Sequence, residues 1–491
     1  MSSPRRAPAY DARAGGPAAR DGQWHGRPSS IPPDPPSDCP PIARRRAPWA
    51  ILPRLAPQII LHNASHGEPP LSPDATSYYT ASAGPAPVRA ALAGSEDCDV
   101  CVIGGGIAGC AAALHLAERG FSVVLLEQHR IGWGASGRSG GQALPGIASG
   151  HARLERLIGR TAARAVWDVS VEGLTLMREL IARHRIDCDW VDGSMTMAVK
   201  PRHDRELRQE LDELRGKLEY GSVRYMPRDE VQATLASRRY LSALYDTNGG
   251  HLHPLNYTLG LAAAAERARV RIYENTRALG FSPARVTTAA GEVRARYLVL
   301  CGNVYLGSTA PALASKIMAV GTHIIATEPL GRERARQLIV NNAAVSDMNW
   351  VLDYFRRSAD HRLLFGGRVS YSGLSSLETP GPTRARMLKV FPQLADVRVE
   401  YSWGGCVDIT VNRAPHFGRL MPSVYFLQGF SGHGIALSGI AGKLAAEAIA
   451  GHAERFDVFA RIPHRDFPGG PMLRRPALVL GMLYYRLRDL L

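Results

Sequence analysis

The stretch CDVCVIGGGIAGCAAALHLAERGFSVVLLEQ, Cys98 to Gln128, constrains the fold more than any other part of the chain. An apolar run ends in glycines, small residues follow at helical spacing, and a second apolar run closes on an acid. That order reads as strand, tight turn, helix and second parallel strand, the βαβ opening of a Rossmann-like α/β sheet. Gly104, Gly106 and Gly109 have separate mechanical tasks in it. The first permits the turn, the second lets a phosphate approach the backbone, and the third lets the helix lie against the strand. The helix N-terminus then offers its unpaired N–H groups and positive dipole end to a pyrophosphate. Glu127, closing the second strand, is placed to accept hydrogen bonds from ribose hydroxyls, and its charge repels a 2′-phosphate. NADP is thereby disfavoured, while NAD and FAD stay open.

The rest of the chain limits what such a unit can serve. A length of 491 residues gives room for two domains with their own cores. The net charge of +15 raises nucleic acid or anionic lipid as partners, but the arginines are scattered and form no long basic run. No nucleic-acid partner is expected. Seven cysteines lacking the paired spacing of a zinc site or disulfide scaffold predict a reducing, cytoplasmic setting and no metal. Residues 1–70 are rich in proline, arginine and alanine and poor in apolar periodicity, the composition of a disordered leader. No stretch reaches the roughly 18 uninterrupted apolar residues of a membrane helix. The tail PALVLGMLYYRLRDLL reads as a helix packed on the body, with an interfacial amphipathic helix as the alternative.

Two later segments favour FAD over NAD. In ASGRSGGQ, Ala135 to Gln142, the residues Ser136, Gly137 and Arg138 suit contacts to pyrophosphate, ribityl and flavin edge. Much further on, GFSGHG ends a strand and opens a helix, so the backbone amides of Gly432, Gly434 and Ile435 can turn a positive helix end towards an anion such as a reduced flavin.

Taken in order, GGGIAG, Glu127, IGWGASGRSGGQ, HLHPLNYTLGLA, WGGCVDITVNRAPHFGR and VYFLQGFSGHGIALSGIAGKLAAEAI resemble the FAD-dependent glycine/D-amino-acid oxidase (DAO) family. The likeness runs from Thr76 to the end and is greatest to the branch that oxidises γ-glutamylputrescine in putrescine breakdown. The resemblance implies an FAD-binding domain in pieces and a substrate domain with a mixed or antiparallel sheet. On this reading 95–180, 246–312 and 401–455 form the FAD domain, 181–245 and 313–400 the substrate domain, and 456–491 a helical tail.

The implied reaction is oxidation of a C–N bond: hydride passes from the carbon beside an amine to FAD, and the imine is hydrolysed. The partners are then a small amine and oxygen or another electron acceptor. Sarcosine, glycine or D-amino-acid oxidation, or delivery of electrons to a membrane quinone, are the alternatives. His433, between two glycines on the turn facing the flavin, is the candidate catalytic residue, its neutral ring accepting an ammonium proton. His251, His253, Tyr257, Trp403 and Asp408 are read as structural rather than catalytic. In the sarcosine-oxidase branch a lysine three residues after the turn histidine holds the substrate carboxylate. Here that position is Ala436, which disfavours small amino acids, with Arg138 the nearest replacement cation. Relatives tether FAD through a cysteine near Cys406, but a shift of one residue turns it to the other face of a strand. Non-covalent FAD is expected.

Overall fold

The computed structural model describes residues 77–370 and 379–468. The leader expected over 1–70, and all but the start of the expected tail, lie outside the described residues.

Two sheets organise the described chain. The first has eight strands. Gly94–Ile103 runs at its centre, parallel to Gly291–Leu300 on one side and to Val123–Leu126 on the other. Val424–Gln428 and Arg271–Tyr273 extend the parallel core outwards. His416–Met421 adds an antiparallel edge, and Arg285–Thr287 pairs antiparallel with the base of Gly291–Leu300. Parallel strands are covered on both faces, which is why VVLL and YLVL are continuous apolar runs. Val100 and Val102 enter one core, and Cys101 and Ile103 enter the other.

Helix Ile107–Ala117 covers one face and lies between Pro254–Arg267 and Gly434–Ile449. Its contact with the last of these is nearly backbone to backbone. A Cβ on Gly442 would stand 2.6 Å from the Ala112 nitrogen and 2.7 Å from the Ala108 oxygen, so glycine is required there. The 25-residue helix Arg160–His184 packs outside, with Gly173 against the Ala436 carbonyl.

The second sheet has nine strands and is antiparallel except where Val191–Ala198 meets Ala344–Asp347. Its longest pairing joins Ile317–Thr327 to Val399–Thr410, from Ile317 opposite Thr410 to Ala326 opposite Tyr401. A separate aromatic core of Tyr240, Phe355, Phe365 and Phe391 lies against it. The fold is thus α/β with a Rossmann-like sheet and a second, mainly antiparallel sheet.

The chain changes sheets at places the composition did not mark. Ser242–His251 belongs to the second sheet, and so does Val399–Thr410, so the chain rejoins the first layer at Pro254 and again at His416. The glycines of Ser242–His251 lie within the strand, where neighbours crowd the Cα. A Cβ on Gly250 would stand 2.5 Å from the Val191 oxygen and 2.7 Å from the Trp190 ring.

Ahead of the first strand, helix Tyr78–Ser82 docks on the second sheet. Tyr79 is fully buried with its ring edge-on to Trp403 and His253. Its hydroxyl accepts from Arg356, which also donates to the carbonyls of Gly140 and Leu252. Among the described residues no single helix is long and apolar enough to cross a membrane.

Candidate active site

A long cleft opens at the carboxyl ends of the parallel strands, the place where open α/β sheets bind their ligands. One end is walled by Gly104 to Ile107 and Glu127, the middle by Trp133 to Ser136, and the far end by Cys406 to Asp408, Gly432, Gly434 and Ile435.

The glycine turn is built as the spacing predicts. Gly104 has φ +110°, a conformation that glycine adopts without strain. A Cβ on Gly109 would stand 1.9 Å from the Gly104 oxygen, so only glycine lets the helix lie this close. Gly106 differs in detail. Its backbone is extended, with φ −84° and ψ −176°, and its missing side chain leaves room for Ser136, whose Oγ would be 2.8 Å from a Cβ. Ser136 Oγ accepts from the Ile107 N–H at 3.0 Å, so the hydroxyl sits at the helix N-terminus among the free N–H groups.

Glu127 is fixed by two backbone donors, Gly105 N–H to Oε2 at 2.6 Å and His129 N–H to Oε1 at 2.8 Å. Burial raises its pKa, and these two donors oppose the rise. A carboxylate held by both oxygens keeps lone pairs for ribose hydroxyls at a fixed position.

The middle turn divides into residues that face the cleft and residues that support it. Ser136 and Ser139 line it, whereas Gly137 and Arg138 do not. A Cβ on Gly137 would stand 2.2 Å from the Gly132 oxygen, so this glycine closes the turn. Arg138 is 8% exposed and is turned into the protein, donating from Nε to the Trp133 carbonyl at 2.8 Å and from Nη1 towards Gly404 O at 3.4 Å. Its own carbonyl accepts from the Trp403 indole at 3.0 Å. Among the described residues it has no carboxylate partner, and burial lowers its pKa. Its positive charge therefore acts on the cleft through the wall beside Cys406.

At the far end, Gly432, Gly434 and Ile435 line the cleft where helix Gly434–Ile449 begins. Asp408 braces this turn: its Oδ2 accepts from Phe430 N–H at 3.0 Å and from Gly429 N–H, and the Ser431 hydroxyl accepts from Thr410 N–H at 3.2 Å. Burial pushes the Asp408 carboxyl up to about 6. His433 itself does not line the cleft. It occupies the N-cap position without making a capping bond, and its Nε2 lies 3.2 Å from the Pro145 carbonyl. Donation to that carbonyl puts the proton on Nε2 and leaves Nδ1 as an acceptor. Burial lowers the His433 pKa, so the ring is neutral near pH 7.

Two expectations need correction. Cys406 was expected to face away, but Cys406, Val407 and Asp408 all line the cleft, because the strand crosses it at its edge instead of presenting one face. Ala436 does not face the cleft: it is 2% exposed in the core between helices, so its small size is first a packing requirement. The histidines read as structural sit in structural places. His251 bonds the Asn342 carbonyl at 2.7 Å, and His253 accepts from Asn256 N–H as the N-cap of Pro254–Arg267.

Several lining residues escaped sequence reading. Trp133 stacks on His129 at 3.9 Å and meets the ring of Tyr305 edge-on at 5.4 Å. Asn303 and Tyr305 follow Gly291–Leu300 directly, and the end of a parallel strand was the signal available for them. Asn303 Oδ1 is buried without a hydrogen-bond partner, an acceptor suited to a ligand donor such as a flavin ring N–H. Together with the glycine cradle and Glu127, these groups fit FAD.

Comparison with known proteins agrees with this geometry. Residues 99–448 match the family described as FAD dependent oxidoreductase, DAO. The chain is 42% identical over 420 residues to the gamma-glutamylputrescine oxidoreductase of Escherichia coli (strain K12), covering 84% of this chain and 98% of that protein. It is 40% identical over 402 residues to a probable oxidoreductase, OrdL, of Haemophilus influenzae, covering 80% and 92%. Among solved structures, glycine oxidase from Geobacillus kaustophilus superposes with a TM-score of 0.61 at 21% identity, over 72% of this chain and 95% of that one. At that identity the likeness speaks for the fold alone.

Proposed function

Since the chain belongs to the DAO family of FAD-dependent oxidoreductases, enzymes that act on amines, we propose that it oxidises the terminal C–N bond of γ-glutamylputrescine or a similar N-acylated diamine. The observation that carries this reading is the 42% identity spanning 98% of a relative with that activity in its name. Bound FAD supplies the hydride acceptor, and water hydrolyses the imine product.

The chain's own groups bind, orient and hold charge. Gly104 to Ile107 with Ser136 would hold the pyrophosphate, Glu127 the ribose, and Asn303 the ring edge. The N-terminus of Gly434–Ile449 and the buried Arg138 guanidinium would put positive potential at the flavin end of the cleft, suited to a hydride acceptor that gains negative charge. His433 stands behind the Gly432–Gly434 wall, so its assignment as acceptor of the substrate ammonium proton at Nδ1 requires the amine to reach past those glycines; only the free amine releases hydride from its carbon. Among the described residues the cleft lining has no lysine and one arginine, Arg277, beside Thr276 at the Glu127 end. That arrangement supports an amine with no carboxylate on the reacting carbon.

Attachment of FAD is non-covalent. Cys406 reaches the cleft, but burial pushes its thiol up to about 11, so the thiolate needed for attack on the ring is scarce. Acid precipitation should leave the polypeptide colourless. The cysteines Cys98, Cys101, Cys110, Cys188, Cys301 and Cys406 are all unpaired, which supports a reducing, cytoplasmic setting. The test of function is anaerobic mixing. γ-Glutamylputrescine should bleach the flavin far faster than sarcosine, glycine or D-alanine, and equal or faster bleaching by sarcosine or glycine would overturn the substrate assignment.

A further inference from the structure

Away from the cleft, two helices bring an imidazole and two carboxylates together. His151 and Glu155 lie one turn apart in helix His151–Ile158, and Glu213 comes from the last turn of helix Pro201–Gly216. A spacing of four residues puts the first two on one helix face. Among the described residues these three form the one group of His, Cys, Asp or Glu side chains whose donor atoms lie within 4.8 Å of one another. None of them lines the cleft. Chain spacing predicted no metal, because the third donor arrives from a separate helix.

His151 carries the argument. Its side chain is 8% exposed, and Nδ1 is buried without a hydrogen-bond partner. Nε2 stands 3.9 Å from Glu155 Oε2, beyond hydrogen-bond reach. On the facing helix, Glu213 Oε1 is likewise buried and makes no hydrogen bond. Its cation is the Lys217 ammonium at 3.6 Å, on a side chain that is 58% exposed. A buried nitrogen and a buried carboxylate oxygen without hydrogen bonds are both costly, and one group bound between them removes both penalties. A proton does not do this, since at these separations no ring N–H reaches a carboxylate.

We propose that His151, Glu155 and Glu213 bind a divalent transition-metal ion of the Zn²⁺ class. One imidazole with two carboxylates is a donor set for such an ion, and the two negative charges balance its own. Ca²⁺ and Mg²⁺ favour oxygen donors alone. Tetrahedral zinc holds neighbouring donors about 3.4 Å apart, so the three must draw in by about 1 Å. Glu155 and Glu213 are only partly buried and have the freedom to do so. Lys217 then turns out to solvent, and water completes the shell. The ion clamps the two helices, and it steadies the segment from Pro145, whose carbonyl holds the His433 ring, to His151. The site stands whether or not the amine reading holds.

The test is calorimetric titration of chelator-stripped holoenzyme with ZnCl₂. One ion per chain should bind with a Kd below about 10 μM and should raise Tm. His151→Ala removes a donor and should weaken binding more than about 100-fold, and Glu213→Gln roughly 10–100-fold. Both variants should keep the flavin spectrum of the wild type, which reports that they are folded. Lys217→Met removes the competing cation and should tighten binding roughly 3- to 10-fold. MgCl₂ at the same concentrations should give neither heat nor a Tm shift. Zn²⁺ binding that survives His151→Ala unchanged belongs to some other surface group and overturns the assignment. So does a wild type that binds no stoichiometric ion, which leaves the gap to a bridging water.

Discussion

Replacing Gly106 by alanine separates two reasons for that glycine. The backbone there is extended, so alanine meets no conformational obstacle. Its methyl carbon would lie 2.8 Å from Ser136 Oγ, closer than the two atoms can approach, and Ser136 must swing away. That breaks the bond from Ile107 N–H and costs about 1 kcal/mol, the usual worth of a helix N-terminal bond. In apoprotein the effect is a fall in Tm of only about 1 °C, given the large unfolding entropy of a 491-residue chain. The larger effect appears with FAD, because the same methyl also stands where the pyrophosphate must approach the helix end. Displacing it from those N–H groups should cost about 2–4 kcal/mol, or roughly a 30- to 1000-fold rise in Kd. Titration of apoprotein with FAD, followed by flavin fluorescence, measures this for Gly106→Ala, Ser136→Gly and the double variant. Ser136→Gly makes room for the methyl but gives the phosphate no clearance, so the double variant should still bind far more weakly than Ser136→Gly alone. Equal binding by those two would refute the phosphate argument and assign Gly106 to housing Ser136.

Three further outcomes follow from the same geometry. Glu127→Gln keeps the shape but loses a charged acceptor, and should raise the Kd for FAD roughly tenfold in the same titration, about 1.4 kcal/mol; an unchanged Kd would remove Glu127 from the ribose site. Arg356→Met leaves the buried carbonyls of Gly140 and Leu252 and the Tyr79 hydroxyl without their donor, and should cost about 3 kcal/mol, lowering Tm by roughly 3–4 °C in calorimetry. Asp408 releases its proton near pH 6 when folded but near its ordinary 3.8 when unfolded, so between these values the native state holds the extra proton and its contribution to stability falls as pH rises. Asp408→Asn should therefore gain on wild type in Tm between about pH 4 and 6, and a gap that stays constant would show that the carboxyl is not raised.

How much of this was legible in the sequence depends on the range of the interaction. The turn at Gly104, the clearance at Gly109 and the place of Glu127 follow from residues within one βαβ unit, where spacing determines geometry. The anion-facing turn at Gly432 and Gly434 was legible because a strand, glycines and a helix adjoin in the chain. Contacts between distant segments were not. Nothing local reveals that Arg138 points at Gly404 or that Asn303 is left with an unfilled acceptor. Ala436 shows the same limit, since its place in a pattern suggested a missing ligand while its surroundings make it a core residue.

Asp408 belongs by its strand to the second sheet, yet its carboxylate grips the backbone of the turn that opens helix Gly434–Ile449. The two halves of the enzyme are therefore stitched together beside the reacting bond. Swinging them apart like jaws would tear out those bonds and expose a buried carboxyl, so opening by whole-domain rotation is closed to this architecture. Traffic of substrate and product falls to the peripheral loops, and turnover limited by release should respond to changes in loop length far more than to changes at any interdomain hinge.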